Sequence, residues 1–220
     1  MAASPAAGGG RWVTVPPDRM ARWLENFTAR HGPYETTGSG ALVVLTARDG
    51  AVAECEVPFP PSTGDLVEHA LVVRRVGVLL VRLGGYAAGV FEGDRLVASK
   101  VGSRQVHGRS AAGGQSQQRF ARRREGQARV ALSAAADNVV RILLPEVPQL
   151  DGVVLGGDRS AVDEVLTDRR LAPLLPLVTG RLLDVPDPRL RILESTPELF
   201  RAVRIRVVDP MSPDPGRHGS

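Results

Sequence analysis

The chain has 220 residues, of which 43% are hydrophobic, and a mean hydropathy of −0.06; these values allow a packed core and exclude global disorder. Its longest apolar runs, such as Val76–Val81, are too short to span a membrane, and its N-terminus lacks the apolar core of a secretory signal, so we expect a cytoplasmic protein. The net charge is only +4, but the pI is about 10.1 and Lys100 is the single lysine, so arginine supplies nearly all of the positive charge.

The N-terminal part predicts a helix followed by a β-hairpin. Residues 1–10 are rich in Ala and Gly and are expected to be disordered. A helix is predicted from Pro17 to about Arg30, and an Asp-Gly turn joins predicted strands at Ala41–Ala47 and Ala51–Val57. One face of the helix is apolar, with Met20, Trp23, Leu24 and Phe27. We expect residues 11–70 to pack on the main domain.

Cysteine and histidine give no pattern typical of a metal site. Cys55 is the only cysteine, which excludes an intramolecular disulfide, and we interpret it as a small buried residue on a strand. His31, His69 and His218 have no companion cysteines at ligand spacing, so we predict neither a metal nor another cofactor. The aromatic residues Trp12, Trp23 and Phe27 are interpreted as core residues rather than as base-stacking residues.

The middle of the chain predicts a meander of strands and then a long loop and helix. The predicted strands are Leu71–Arg74, Val76–Leu83, Ala87–Glu92 and Arg95–Val101. Gly102–Gln115 has no periodicity and few large apolar residues, so we expect an exposed loop. Ser116–Leu144 predicts a helix, because apolar residues recur along it at four-residue intervals, and Pro145 ends it.

The last part of the chain alternates strands and helices. The predicted strands are Gly152–Leu155, Arg181–Val185 and Val203–Val208. Helices are predicted after Asp158, which is expected to cap the first, and at Pro188–Ala202. Gly156-Gly157-Asp158 lacks the Lys-Ser/Thr of a P-loop and is interpreted as a plain turn between strand and helix. This order predicts an α/β (α+β) fold, a mixed sheet with flanking helices, in a main domain at 71–209 before a disordered tail at 210–220.

The stretch Lys100–Arg129 holds an unusual density of arginine. Its members are Arg104, Arg109, Arg119, Arg122, Arg123, Arg124 and Arg129, offset by a single acid, Glu125. Planar guanidinium groups donate paired hydrogen bonds to phosphate, and spacings of three and four residues place some of these on one helical face. A basic helix face or a Gly-rich loop alone is usually only a solvated surface; their combination favours RNA binding. His107 is predicted either to contact RNA or to cap the fold.

Three motifs follow one another in this stretch. They are His107-Gly108-Arg109, Gly113-Gly114-Gln115-Ser116 and Arg119-Phe120-Ala121-Arg122. They resemble the middle domain of eukaryotic and archaeal class-1 translation release factors, and more closely the Vms-type release factors, the ribosome-quality-control peptidyl-tRNA hydrolases, especially their short actinobacterial relatives. The resemblance is sharp over residues 102–124 and extends loosely to about residue 208. Ser110–Ala112 lengthens the loop, as in the Vms-type branch.

This resemblance implies a release-factor middle-domain-like fold and a catalytic loop formed by Gly113, Gly114 and Gln115. Glycines lack Cβ and let the backbone approach the CCA end of a tRNA, while the Gln115 amide can orient a water molecule against the ester carbonyl. The implied RNA-binding residues are Arg104, His107, Arg109, Arg119, Arg122 and Arg123. The expected partners are the peptidyl-transferase centre of the large ribosomal subunit and the CCA end of peptidyl-tRNA, with no membrane and no DNA.

The function that we expect is codon-independent release of nascent chains by hydrolysis of peptidyl-tRNA in ribosome rescue or quality control. We expect that a chain of this length contains neither the stop-codon-reading domain nor the C-terminal domain of termination factors. One alternative is a ribosome- or RNA-binding factor without catalytic activity. Another is a hydrolase of free peptidyl-tRNA that does not depend on Gln115.

Overall fold

The computed structural model describes residues 3–6, 9–38, 40–62, 65–82, 85–103 and 133–210. The chain divides into two compact units, residues 1–72 with 201–220 and residues 73–200. Within the described ranges, no helix is long and apolar enough to cross a membrane.

The described strands and helices are as follows in chain order. The strands are β1 Ala3–Pro5, β2 Arg11–Val15, β3 Tyr34–Thr37, β4 Leu42–Ala47, β5 Val52–Glu56, β6 Arg75–Arg82, β7 Gly85–Glu92, β8 Arg95–Ser103, β9 Gly152–Gly157 and β10 Val203–Val208. The helices are α1 Met20–His31, α2 Leu66–Leu71, α3 at 133–143, α4 Arg159–Leu166, α5 Leu190–Glu194 and α6 Pro197–Phe200. Short 3₁₀ segments lie at Pro17–Arg19, Leu144–Gln149 and Arg169–Leu177.

The first unit is an antiparallel sheet with strand order β1-β2-β10-β5-β4-β3, covered on one face by α1 and α2. Alternate residues of the strands point to this face and form its core with Met20 and Phe27 of α1. The predicted helix and hairpin are confirmed by α1 and by the antiparallel pair β4–β5. Cys55 is fully buried on β5, as expected, and burial raises the pKa of its thiol to about 12.

Four strands of this unit differ from the expectation. Ala3–Pro5, in the stretch expected to be disordered, forms β1 against β2, and neither β2 nor β3 was predicted. The last strand, β10, lies between β2 and β5, so residues 203–208 belong to the first unit rather than to the main domain expected at 71–209. Strand periodicity reveals that a segment is a strand but does not reveal which sheet it joins.

The second unit is built on a mixed sheet with strand order β8-β7-β6-β9, in which only the pair β6–β9 is parallel. The central strand β6 is buried along residues 76–81, because both faces of the sheet are covered. On one face, α3 and α4 pack with Leu79 and Val81 in one core. Toward the other, Phe200 of α6 meets Phe91 of β7 edge to face, with ring centroids 5.7 Å apart.

The fold class predicted from the sequence is confirmed: the protein is α+β, with a mixed sheet and flanking helices. Three predicted elements are wrong in detail. Leu71–Arg74 is not a strand, because Leu71 ends α2; Arg181–Val185 makes only an isolated parallel bridge, Leu183 to Gly156; and Pro188–Ala202 is two short helices, α5 and α6. These segments are too short, or too interrupted by turns, for apolar spacing to fix their structure.

Candidate functional site

All nine residues predicted to catalyse hydrolysis or to bind RNA lie in residues 104–132, outside the described part of the chain. The predicted helix 116–144 is confirmed only for its described part, α3 at 133–143. The described residues define the two segments that flank 104–132, namely the end of β8 and the start of α3.

The end of β8 is fixed to β7 by a close contact between a glycine and an aromatic ring. Gly102 lies directly opposite Tyr86 in the antiparallel ladder, and Ser103 lies opposite Gly85. A Cβ atom on Gly102 would collide with the Tyr86 ring. The ring therefore covers the backbone of β8 immediately before residue 104, which only a residue without a side chain permits.

The other flank is tied to the same tyrosine. Asn138 of α3 donates a hydrogen bond from Nδ2 to the Tyr86 hydroxyl oxygen, at 2.6 Å, and a second to the carbonyl oxygen of Ala134, at 2.7 Å. Tyr86 thus contacts β8 through its ring and α3 through its hydroxyl. The two chain segments that enclose residues 104–132 are held together at this one side chain, which we call the Tyr86 clamp, made of Tyr86, Gly102 and Asn138.

The clamp hydroxyl is a neutral phenol at physiological pH. Burial raises the pKa of Tyr86 above its usual value, and the charge of Asp137 acts in the same direction, against the opposing effect of Arg141. A neutral phenol oxygen accepts the hydrogen bond from an amide nitrogen without a buried charge, so the contact is maintained across the physiological range.

Helix α3 is also anchored by its apolar face and by an ion pair. Val139 and Leu143 are fully buried against the sheet, and removing such side chains from water stabilises by roughly 1.5–3 kcal/mol each. Asp137 accepts a hydrogen bond from Arg170 at 2.7 Å, and Arg170 also pairs with Asp168. Hydrogen bonds from Arg170 lower the pKa of Asp168 to about 2. The buried apolar face therefore provides most of the anchoring of α3, because the ion pair with Arg170 is exposed to solvent.

Positive charge is concentrated in residues 104–132. Seven arginines and one glutamate give this segment a net charge of +6, whereas the whole chain has +4, so the remaining residues together carry −2. Several of the other arginines are paired with carboxylates, as in Arg75 with Glu146 at 2.7 Å and Arg82 with Asp158 at 3.1 Å. The strongly basic character inferred from the pI thus belongs to the segment between β8 and α3.

The turn at Gly156-Gly157-Asp158 is structural. The Gly157 amide donates to the carbonyl of Leu183 at 2.9 Å and the Asp158 amide to that of Val81 at 2.8 Å, so neither is available to a phosphate. Asp158 stands at the N-cap position of α4 as expected, but its side chain makes no capping hydrogen bond. It accepts from Arg82 Nε at 3.1 Å instead, because the guanidinium offers a charged donor.

No group of three His, Cys, Asp or Glu side chains among the described residues is arranged to hold a metal ion. Two histidines in the described part of the chain are buried, and both have other partners. His31 Nδ1 lies 2.8 Å from Asp49 Oδ2, and His69 Nε2 lies 2.8 Å from the carbonyl oxygen of Pro58.

A family model described as Actinobacteria/chloroflexi VLRF1 release factor matches residues 74–206, which is more than half of the chain. The chain belongs to this release-factor family. The match confirms the resemblance drawn from the three motifs, and it includes the second unit from β6 onward as well as the first four residues of β10 in the first unit.

Two solved structures are similar to the chain at low identity. The crystal structure of the archaeal translation termination factor aRF1 aligns with a TM-score of 0.43 and 19% identity, over 68% of this chain and 46% of that one. A structure described as an archaeal protein aligns with a TM-score of 0.39 and 17% identity, over 69% of this chain and 48% of that one. The chain therefore spans about half the length of either. No curated protein matches the chain.

The members of the Tyr86 clamp were not predicted from the sequence. Asn138 interrupts an Ala-rich helical run with a residue of poor helix propensity, which is a signal that its side chain has a partner. Tyr86 directly precedes the predicted strand Ala87–Glu92, and Gly102, which was predicted to begin the loop, directly follows the predicted strand Arg95–Val101. An aromatic residue opposite a glycine is a known cross-strand arrangement. Neither signal shows which residue the side chain contacts, because that depends on the register of the strands and on how the helix packs.

Proposed function

We propose that the protein releases nascent chains by hydrolysing the ester bond of peptidyl-tRNA, with Gly113-Gly114-Gln115 inserted into the peptidyl-transferase centre of the large ribosomal subunit. The observation that carries this proposal is membership of a release-factor family over residues 74–206, a range that includes these three residues. The concentration of arginine in the same segment supports binding to RNA.

In the proposed reaction, the oxygen of a water molecule attacks the carbonyl carbon that joins the peptide to the tRNA ribose. The bond between that carbon and the ribose oxygen breaks, the ribose oxygen takes up a proton, and the products are a peptide acid and deacylated tRNA. Gln115 does not titrate and so acts as a positioning group, which donates and accepts hydrogen bonds to order the water. Positioning of this kind contributes on the order of 7–11 kcal/mol in favourable cases.

The architecture of the second unit supports this role. A segment that enters an RNA-walled site must be presented from a rigid base, since misplacement of a catalytic group by about 1 Å can cost roughly a hundredfold in rate. The Tyr86 clamp and the buried face of α3 provide such a base on both sides of residues 104–132. We propose Arg104, His107, Arg109, Arg119, Arg122 and Arg123 as its RNA-binding residues.

The test is peptide release from purified ribosome complexes that carry peptidyl-tRNA. Gln115→Ala should abolish release while ribosome binding, measured by co-sedimentation, persists. Gln127→Ala is the matched control, since it removes an amide from the same segment outside the three motifs, and it should release normally. Undiminished release by Gln115→Ala would refute the role of this residue, and ribosome binding without release by the wild type would favour a non-catalytic factor.

The arginines are tested through the salt dependence of ribosome binding. Replacing Arg119, Arg122 and Arg123 with serine should weaken binding and lower the slope of log affinity against log salt by about 0.7–0.9 for each phosphate that is no longer neutralised. The matched control replaces Arg159, Arg169 and Arg189, which lie elsewhere in the second unit. A slope unchanged by the first set, or lowered equally by the second, contradicts phosphate binding at these positions.

We further propose that release is independent of the codon in the ribosomal A site and depends on the ribosome. Complexes with a sense codon and with a stop codon should then release at equal rates, and free peptidyl-tRNA should be hydrolysed far more slowly than the bound form. Preference for a stop codon would contradict the rescue function. Equal hydrolysis of free peptidyl-tRNA by wild type and Gln115→Ala would favour a Gln115-independent hydrolase.

A further inference from the structure

The first unit contains a groove that the proposed release reaction does not use. It lies between the C-terminal half of α1 and strands β2 and β10, and its volume is about 690 Å³. Pockets for small ligands typically have volumes of about 300–1,000 Å³. The groove is therefore large enough for one nucleotide-sized molecule.

The apolar part of the groove is mainly aromatic. Trp23 and Phe27 line it, four residues apart on one face of α1, with their rings stacked at a centroid distance of 5.4 Å and an interplanar angle of 13°. Val13 and Val207, from the two adjacent strands, complete the apolar lining. Trp23 is only partly buried, whereas Phe27 is 5% exposed, so the indole is the more accessible ring.

The polar part of the groove is basic. Arg11, Arg30 and His31 line it together with Asn26. No carboxylate lines the groove itself, but Asp209 pairs with Arg11 and Asp49 lies 2.8 Å from His31, so the charges of these two basic residues are partly neutralised. Arg11 points to the α1 side of the sheet and pairs with Asp209 at 2.6 Å, at the edge of the groove. Arg30 is exposed in the last turn of α1. Two guanidinium groups beside an aromatic surface complement a ligand that joins a flat ring to a phosphate.

We propose that this groove binds a nucleotide, with the base against Trp23 and the phosphate at Arg30 and Arg11. A base joined to a phosphate could be supplied by a free mononucleotide or by one nucleotide of a single-stranded RNA. Asn26 adds an amide that can hydrogen-bond to a base edge or a ribose hydroxyl. This inference concerns the first unit and does not depend on hydrolysis of peptidyl-tRNA.

The position of the tryptophans allows a direct binding measurement on the full chain. Trp12 and Trp23 are the only two tryptophans. Trp12 lies on the opposite face of β2 from Val13, beneath Arg204, whose Cζ is 4.4 Å from the ring centroid. A Trp12→Phe chain therefore has a single indole in the groove. Its fluorescence should be quenched by AMP, with excitation at the red edge of tryptophan absorption, where nucleotides absorb little.

Two comparisons decide the proposal. AMP should bind about tenfold more tightly than ribose 5-phosphate, because a base stacked on an aromatic side chain contributes a factor of this order. Arg30→Ala should weaken AMP binding about tenfold, whereas Arg22→Ala, which removes an exposed arginine from the same helix outside the groove, should not. Both changes are at exposed positions, so the fold should be retained, as circular dichroism can verify.

The source of the nucleotide is distinguished by a short single-stranded RNA. An RNA trinucleotide that binds at least tenfold more tightly than AMP indicates a strand, and equal affinities indicate a free nucleotide; either result supports the proposal. Absence of quenching by both ligands would overturn it. Binding of ribose 5-phosphate as tight as that of AMP, or equal effects of Arg30→Ala and Arg22→Ala, would overturn it as well.

Discussion

The Tyr86 clamp gives a quantitative prediction about what holds the flanks of residues 104–132 together. Tyr86→Phe removes the 2.6 Å hydrogen bond from Asn138 but leaves the ring over Gly102. Asn138 Nδ2 keeps its bond to the Ala134 carbonyl, so no buried donor is left without a partner. The cost should therefore be the net value of one hydrogen bond, about 1 kcal/mol, rather than a full desolvation penalty.

Asn138→Ala tests the same contact from the other side. It removes the bond to Tyr86 and the bond to Ala134, but alanine is the better helix former by roughly 0.5 kcal/mol, so the net destabilisation should be smaller. In a double-mutant cycle, the coupling between the two positions should be about 1 kcal/mol. This corresponds to a change of about fivefold in the equilibrium for local opening.

Amide hydrogen exchange is the appropriate measurement, since it reports local opening separately in each unit. Protection of the amides in β8 and α3 should fall in each single variant. In the double variant the loss of protection should be smaller than the sum of the two single losses, by the coupling energy of about 1 kcal/mol. Strand β10 of the first unit provides an internal control. A coupling below about 0.3 kcal/mol, or an equal fall of protection in β10, would show that Tyr86 and Asn138 do not act as a pair.

Further predictions concern single residues. Gly102→Ala should destabilise the second unit by about 1–3 kcal/mol in thermal unfolding, because its Cβ would displace the Tyr86 ring; an unchanged melting temperature would contradict the close approach. The amide of Ala51 donates a hydrogen bond to the Asp49 carboxylate at 2.9 Å, and this bond is the largest cause that lowers the pKa of Asp49. The stability contributed by ionised Asp49 is therefore present above about pH 4 and is lost as the pH falls through the lowered pKa. Asp49→Asn should reduce the acid sensitivity of the first unit in melts at pH 3 and pH 5, and equal acid sensitivity would argue against this assignment. Cys55 should resist thiol reagents at pH 8 until the chain is unfolded, because the buried thiol has a pKa of about 12; rapid labelling of the native protein would be inconsistent with its burial.

Much of the fold was predictable because its elements have strong local signals. The hairpin of the first unit follows from two alternating runs around Asp49-Gly50, and α1 follows from the spacing of Met20 and Phe27. The assignment of Val203–Val208 to a sheet was not predictable, because β10 pairs with β5 and β2, which precede it by about 150 and about 190 residues. Pairing between strands this far apart in sequence is not indicated by the residues of either strand alone.

For the candidate site too, one part could be predicted from the sequence and the other could not. The motifs around Gln115 are contiguous in sequence, so the resemblance to the family could be recognised without coordinates, and the family model confirms it. The clamp consists of Tyr86, Gly102 and Asn138, which come from three separate elements and meet only through β-strand register and helix packing. Single-sequence patterns describe one element at a time, so a contact shared by three elements is visible only in the structure.

Joining the two described ends of the segment 104–132 at one side chain has a consequence for how such proteins can diverge. When the ends are fixed to each other, each doubling of the intervening length costs only about 0.6 kcal/mol of chain entropy. Evolution can therefore lengthen or shorten the stretch between Ser103 and residue 133, as the extra Ser110–Ala112 illustrates, while the supporting sheet and helix are unaffected. The length of this segment and the stability of the sheet and helix that flank it can then change independently.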